Sequence, residues 1–178
     1  MATIAEALNL ALQHHEAGRL QEAEALYRQI LHAQPNHPDA LHLLGVIAHH
    51  VGRNDVAVEL IGKAITFNPV VADYHNNLGE AYRVQDKLKE AMDCYRQALV
   101  LRPAYAEARN NMGTAFQAQG MLEEAASHYR QALALKPDFA LAHNNLGTVL
   151  YGRGQLEEAA GCYRQALVFE PDFAFGHN

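Results

Sequence analysis

Asparagine is the residue type here with the most chemistry to offer, and it recurs. Asn9, Asn77, Asn111 and Asn145 fall in register at multiples of 34 residues, with Leu43 interrupting the row. Asn76, Asn110, Asn144 and Asn178 form a second row one residue earlier. A helix interior disfavours Asn by more than about half a kcal/mol relative to Ala, because the side chain competes for backbone hydrogen bonds. A repeated cost points to a repeated use. A carboxamide has both donors and an acceptor, so a row of them pairs with the peptide groups of an extended chain whatever that chain's side chains are. The same chemistry also serves a plainer role, bridging neighbouring units of one fold.

Histidine is the second unusual population, with eleven in the chain. His14, His15, His42, His49 and His50 crowd the first third, and His15 and His49 share a register that continues through Arg83 and Gln117. These four are expected as polar lining of a binding groove. A metal site would need ligand atoms converging at ~2 Å on one ion. Helices spaced ~10 Å apart work against that, so no metal is expected. The sequence holds no phosphate-binding loop, no dinucleotide fingerprint, no H-E-x-x-H and no C-x-x-C. No catalytic residue and no cofactor are assigned, and the chain is not expected to be an enzyme. Glu123-Glu124 and Glu157-Glu158 are read as helix-opening pairs that favour the positive end of the helix dipole. Cys94 and Cys162 stand two units apart and are not expected to pair.

The elements that position these residues follow from a period. Pro35, Pro69, Pro103, Pro137 and Pro171 are each 34 residues apart, and the same shift aligns Gly45, Gly79, Gly113 and Gly147, then Ala23, Ala57, Ala91, Ala125 and Ala159, then Tyr27, Ile61, Tyr95, Tyr129 and Tyr163. Five repeats are expected, at 4–37, 38–71, 72–105, 106–139 and 140–173, with 174–178 opening a truncated sixth. Apolar spacing within a unit is helical in two stretches, so each unit is a helix pair. Gly18, Gly52, Gly120 and Gly154 mark the turns between the helices, where a positive φ ends the first helix, and Asp86 is a weaker stop in the third unit. Gly79, Gly113 and Gly147 lie inside first helices, each costing about 1 kcal/mol relative to Ala. They are expected to receive Ala91, Ala125 and Ala159 of the paired helix, with Tyr95, Tyr129 and Tyr163 wedged between adjacent units. One helix pair cannot bury both faces, so the units must stack into an all-α solenoid.

Bulk composition narrows the partners. A net charge of -6 disfavours nucleic acid. No apolar run reaches the ~18 residues of a membrane span, and the first residues lack the basic flank of a leader, so no membrane partner is expected. Two cysteines make no disulfide framework, which fits a reducing cytoplasm.

The pattern N-N-[LM]-G, then Ala, Tyr, Ala-Leu and Pro at a 34-residue period, resembles the tetratricopeptide repeat family. Unit two departs most, with Leu43, Asn54, Val56 and Ile61, and His75, His143 and His177 stand where the family often has an early Trp. The resemblance implies a right-handed superhelical solenoid that binds a protein or extended peptide in its concave groove. His-Asn-Asn-Leu-Gly at 75–79 and 143–147, with C-Y-R-Q-A-L at 94–99 and 162–167, is similar to the repeats preceding the catalytic region of O-GlcNAc transferases and bacterial Spindly-like glycosyltransferases. That likeness implies backbone binding by Asn77, Asn111 and Asn145, and less directly Asn9, in the substrate-recruiting part of a larger protein. Repeats that clamp acidic tails need groove cations, and Arg83 is the main one here. The alternative is a self-assembling scaffold joined through an uncapped C-terminal edge of Tyr163, Leu167, Phe169, Phe173 and Phe175.

Overall fold

The 34-residue spacing reappears in the backbone. The structure, a computed structural model, describes residues 3–171, and among them it contains ten α-helices and no strand. First helices α1 (Ile4–Glu16), α3 (Pro38–His50), α5 (Ala72–Val84), α7 (Ala106–Ala118) and α9 (Ala140–Gly152) alternate with second helices α2 (Leu20–Ala33), α4 (Asn54–Phe67), α6 (Leu88–Leu101), α8 (Leu122–Leu135) and α10 (Leu156–Phe169). The chain divides into two compact units, residues 1–94 and 95–178, with the boundary inside α6.

In the first unit one apolar cluster joins Ala11, Ala23, Tyr27, Ile30, Ala40 and Ile47, and a second joins Leu41, Ala48, Ala57, Ile61, Ala64 and Tyr74. In the second unit Ala125, Tyr129, Leu146, Val149, Leu150 and Ala159 form the equivalent core. Each cluster draws residues from two successive helix pairs, as a stacked array requires.

Every first helix ends the same way. Gly18, Gly52, Gly120 and Gly154 have φ of +72 to +79°, and Asp86 takes the same left-handed conformation at +60°. In each turn the next amide reaches back to a carbonyl five residues earlier, as from Met121 N to Phe116 O at 3.0 Å and Lys87 N to Tyr82 O at 3.0 Å. This closes the orphan carbonyls of the helix end. The second helices α2, α4, α8 and α10 begin without a side-chain cap.

The mid-helix glycines differ from expectation in what they receive. A Cβ on Gly113 would lie 2.7 Å from the Tyr129 ring, and one on Gly147 would lie 2.8 Å from Tyr163. In the second repeat a Cβ on Gly45 would meet Ile61 at 2.6 Å. At Gly113 and Gly147 the nearest atoms belong to the tyrosine ring one turn beyond the alanine of the paired helix, and at Gly45 the Ala57 carbonyl also approaches, to 3.3 Å. Tyr129 is accordingly a wedge within its own helix pair, and Leu146 and Val149 of the next pair complete the cluster around it. Tyr129 is fully buried, while Tyr163 at the last described pair is half-buried. Leu156, Leu167, Val168 and Phe169 of α10 are exposed, and Phe173, Phe175, His177 and Asn178 lie outside the described residues.

Three glycine environments separate backbone strain from space. Gly120 is left-handed with nothing within 4 Å of a Cβ, so Gly120→Ala should cost about 1–2 kcal/mol through strain alone. Gly62 lies inside α4 with equally open surroundings and no positive φ, so Gly62→Ala should gain up to about 1 kcal/mol. Gly113→Ala should lose about 1–3 kcal/mol because the Tyr129 ring must move. Thermal unfolding followed by circular dichroism checks the three signs.

Candidate functional site

The first-helix face of the first unit is where the histidines and the earlier asparagines meet. His42 on α3 is buried, 7% exposed, with its ring 4.4 Å from that of Tyr74 on α5. Its Nε2 accepts an amide proton from Asn77 at 2.9 Å, and Asn77 Oδ1 accepts from Asn76 at 3.3 Å. Tyr74 donates its hydroxyl proton to Asp39 of α3, and burial and that carboxylate both push the phenol up from its ordinary pKa. A polar chain thus ties α3 to α5 through side chains 35 residues apart.

The second unit repeats the arrangement with amides alone. Asn145 on α9 donates to Asn110 Oδ1 on α7 at 3.0 Å, and Asn110 in turn donates to Asn111 at 3.3 Å. Asn110 is 2% exposed and Asn76 is 5% exposed. Asn144 is half-buried, and Asn77, Asn111 and Asn145 are half-buried as well. Asn9 is exposed on α1, one repeat before the interruption at Leu43.

His15, His49, Arg83 and Gln117 take up different partners in one register. Gln117 Oε1 accepts the Tyr129 hydroxyl proton at 2.7 Å, and His15 Nδ1 lies 3.4 Å from the Tyr27 hydroxyl. Ile61 has no hydroxyl to offer, and His49 donates instead to Asn54 Oδ1 at 2.6 Å. Ile61 and Asn54 were two of the departures in unit two, and here they compensate each other. Arg83 makes a two-point ion pair with Glu80, Nε to Oε1 at 3.1 Å and Nη2 to Oε2 at 3.0 Å. Its charge is therefore countered on its own helix, which suits a neutral ligand better than an anionic tail. A depression of about 210 Å³ between α3, α4 and α5 brings His49, His50, Asn77 and Glu80 over Val46 and Ile61.

Two roles went unread in the sequence. His75 and His143, standing where the family often has Trp, each place Nε2 2.9 Å from the carbonyl of the repeat-ending proline, Pro69 and Pro137. The identical six-residue offset was the available signal. Thr114 and Thr148 bond the carbonyls of Asn110 and Asn144 and sit within 3.4 Å of the Tyr129 and Tyr163 hydroxyls.

Burial, then the charges of Asp93 and Glu90, push the Cys94 thiol up to about 11, and burial raises Cys162, so neither is a ready nucleophile. Among the described residues no group of three His, Cys, Asp or Glu is placed to hold a metal ion, and no helix is long and apolar enough to cross a membrane. Burial lowers His15, helped by the charge of His50, and burial lowers His42 to about 4.

The His42 environment has a stability consequence. Asp73 and Asp39 oppose the shift and His15 adds to it, but desolvation is the largest cause. The folded-state pKa is depressed below 6.5, so its stabilisation is present above that pH and is lost as pH falls toward 4. The loss is on the order of 2–3 kcal/mol. His42→Asn places the side chain of Asn76 and Asn110 at the equivalent position, keeping an acceptor for Asn77. Melting temperatures at about pH 7 and about pH 4.5 should show a smaller acid-induced drop in this variant than in the wild type, alongside about 1 kcal/mol lost at neutral pH with the Tyr74 stacking.

Comparison with known proteins bears on the fold and the family. Two family models described as tetratricopeptide repeat match residues 14–81 and 110–173, and one described as TPR repeat matches residues 80–120. Tetratricopeptide repeat protein 7B of Homo sapiens is 30% identical over 78 residues, 44% of this chain and 9% of that protein, so the chain spans less than a tenth of that relative's length. TTC0263, a thermophilic TPR protein of Thermus thermophilus, is 25% identical with a TM-score of 0.83, covering 97% of this chain and 94% of its own. The crystal structure of MamA is 26% identical with a TM-score of 0.75, covering 93% of this chain and 96% of its own. With helix pairs starting every 34 residues and three repeat models spanning residues 14–173 between them, the chain belongs to the tetratricopeptide repeat family.

Proposed function

We propose that the chain is a protein-interaction scaffold that holds extended polypeptide by its backbone, through Asn77 on the first-helix face of the first unit and through Asn111 and Asn145 on that of the second. The observation that carries this reading is the way Asn77 and Asn145 are held. Each spends one amide N–H on the preceding repeat, at His42 Nε2 and Asn110 Oδ1, and each remains half-buried, not sealed. A carboxamide has two N–H donors and two acceptor lone pairs, so one in-chain donor bond orients the group without exhausting it. Orientation in advance lowers the entropy cost of binding. Asn76 and Asn110 then act by positioning, and Asn144 and Asn9 extend the rows. His15, His49 and Gln117 line the face as hydrogen-bonding groups, and Arg83, paired with Glu80, gives it little net charge. The likeness of 75–79 and 94–99 to repeats of O-GlcNAc transferases supports a substrate-recruiting role within a larger glycosyltransferase. A glycosyltransferase region in the same reading frame would bear that out.

A second reading, self-assembly, is favoured by one observation. Leu156, Leu167, Val168 and Phe169 leave apolar side chains exposed on α10, with Phe169 at 42% and Val168 at 68%. Sedimentation equilibrium of wild type against Leu167→Glu decides it, since a monomer at high concentration removes the case for assembly.

For the first reading, binding of neutral extended peptides should be measured by fluorescence anisotropy. Each backbone hydrogen bond lost should cost about 1 kcal/mol. Asn77→Ala, Asn111→Ala and Asn145→Ala together should therefore weaken binding on the order of 100-fold. Circular dichroism at the same temperature confirms that the variant is folded. Unchanged affinity in a folded triple variant assigns the asparagines to repeat bridging alone.

A further inference from the structure

The second unit has a cavity that the Asn face does not use. It lies between α6, α7 and α8, measures about 410 Å³, and falls within the ~300–1,000 Å³ range of ligand pockets. Leu99, Met112 and Phe116 form its apolar wall, and His128 extends that wall by stacking flat on Phe116, centroids 5.2 Å apart at 19°. Val100 stands at the rim, 72% exposed. Arg96 and Arg109 also line it, and no carboxylate does. Arg109, Met112 and Phe116 share one stripe of α7, and at about 100° per residue Asn111 lies roughly 100–160° around the helix from them. The cavity and the Asn face are therefore separate surfaces.

The equivalent crevice in the first unit is a useful contrast. It measures about 140 Å³, and Leu44, Ile47, Val56 and Leu60 line it. Arg28 and Arg53 also line it, and Arg28 is bound by Glu24 at 2.6 Å. Leu41 stands where the second unit has Arg109, Ala48 where it has Phe116, and Leu60 where it has His128. A helix-pair junction of this fold can thus close over aliphatic side chains with a carboxylate, Glu24, in its lining. The junction in the second unit is about three times larger and adds a cation at Arg109. Burial and the Arg109 charge keep His128 below its ordinary pKa, so its ring is neutral and part of the apolar wall at neutral pH.

We propose that this cavity is a docking slot for a partner polypeptide that presents a bulky apolar side chain flanked by carboxylates. The apolar side chain enters between Leu99, Met112 and Phe116, and a flanking carboxylate meets Arg109. The charge argument decides the occupant. The chain as a whole carries -6, so a slot whose lining holds Arg109 and no acid selects an acidic flank against that background. The carboxylate supplies orientation and on-rate, and the apolar side chain supplies most of the affinity.

The test uses the full chain and a fluorescein-labelled peptide carrying Asp-Phe-Asp in a Gly-Ser frame, with a Lys-Phe-Lys counterpart. Anisotropy should saturate with the acidic peptide alone. Arg109→Glu should weaken binding by roughly tenfold or more, and Arg109→Lys should stay within a few-fold of wild type. Val100→Asp, at an exposed position where folding is not at risk, should also weaken it. Backbone amide shifts on titration should fall at Leu99, Val100, Met112 and Phe116. Asn111→Ala with Asn145→Ala should leave this binding unchanged, which keeps the slot distinguishable from the Asn face. Equal binding of the two peptides, shifts centred on Asn111 and Asn145, no saturation up to about 1 mM, or a dimer abolished by Arg109→Glu would each overturn the assignment.

Discussion

Everything in these helix pairs depends on a missing atom. Gly113 and Gly147 leave a first helix without a Cβ where the tyrosine of the second helix lays its ring, and an added methyl would lie 2.7–2.8 Å from that ring. The glycine costs the helix about 1 kcal/mol in propensity. Full burial of Tyr129 repays that, since an aromatic side chain contributes more than any aliphatic one to a core. The close approach then dictates the next layer. A buried phenol must find a hydrogen-bond partner, so the residues facing the hydroxyl, Gln117 and Thr114, are polar and their places along the helix are set.

The same requirement organises the contact between successive repeats. His42 and Asn110 stand where each first helix meets the next, almost sealed from water, and each is satisfied by an asparagine 35 residues on. Unpaired, either would cost about 1–3 kcal/mol. The asparagine rows therefore have a structural use at the seams between first helices. The in-chain bond fixes the carboxamide's orientation, and a half-buried amide still has a donor to offer. On this face Arg83 is matched by Glu80, and His42 and His49 are hydrogen-bonded to asparagine side chains.

The second repeat shows how a departure is absorbed. Ile61 replaces the tyrosine and packs on Gly45, which removes a hydroxyl, and His49 turns to Asn54, another departure in the same repeat. Single substitutions there look like noise in a row of letters and form a matched set in space. The junction in the second unit is the converse case. Arg109, Phe116 and His128 replace Leu41, Ala48 and Leu60, and the crevice opens instead of closing.

The period, the all-helical class, the left-handed turns and the places of glycine and proline were legible in the amino-acid order, because they are local. Helical spacing, a positive φ and a missing N–H act within a few residues, and repetition at 34 residues exposes them. The asparagine rows were legible as a repeated cost. What filled the space over Gly113 was not, since alanine and tyrosine one turn apart face the same gap and only the distance between helix axes selects the ring. Nor could the order of residues assign one asparagine row to the buried seam and the other to its edge. That depends on a one-residue rotation of about 100° around a helix axis and on the position of the neighbouring helix, and packing alone decides both.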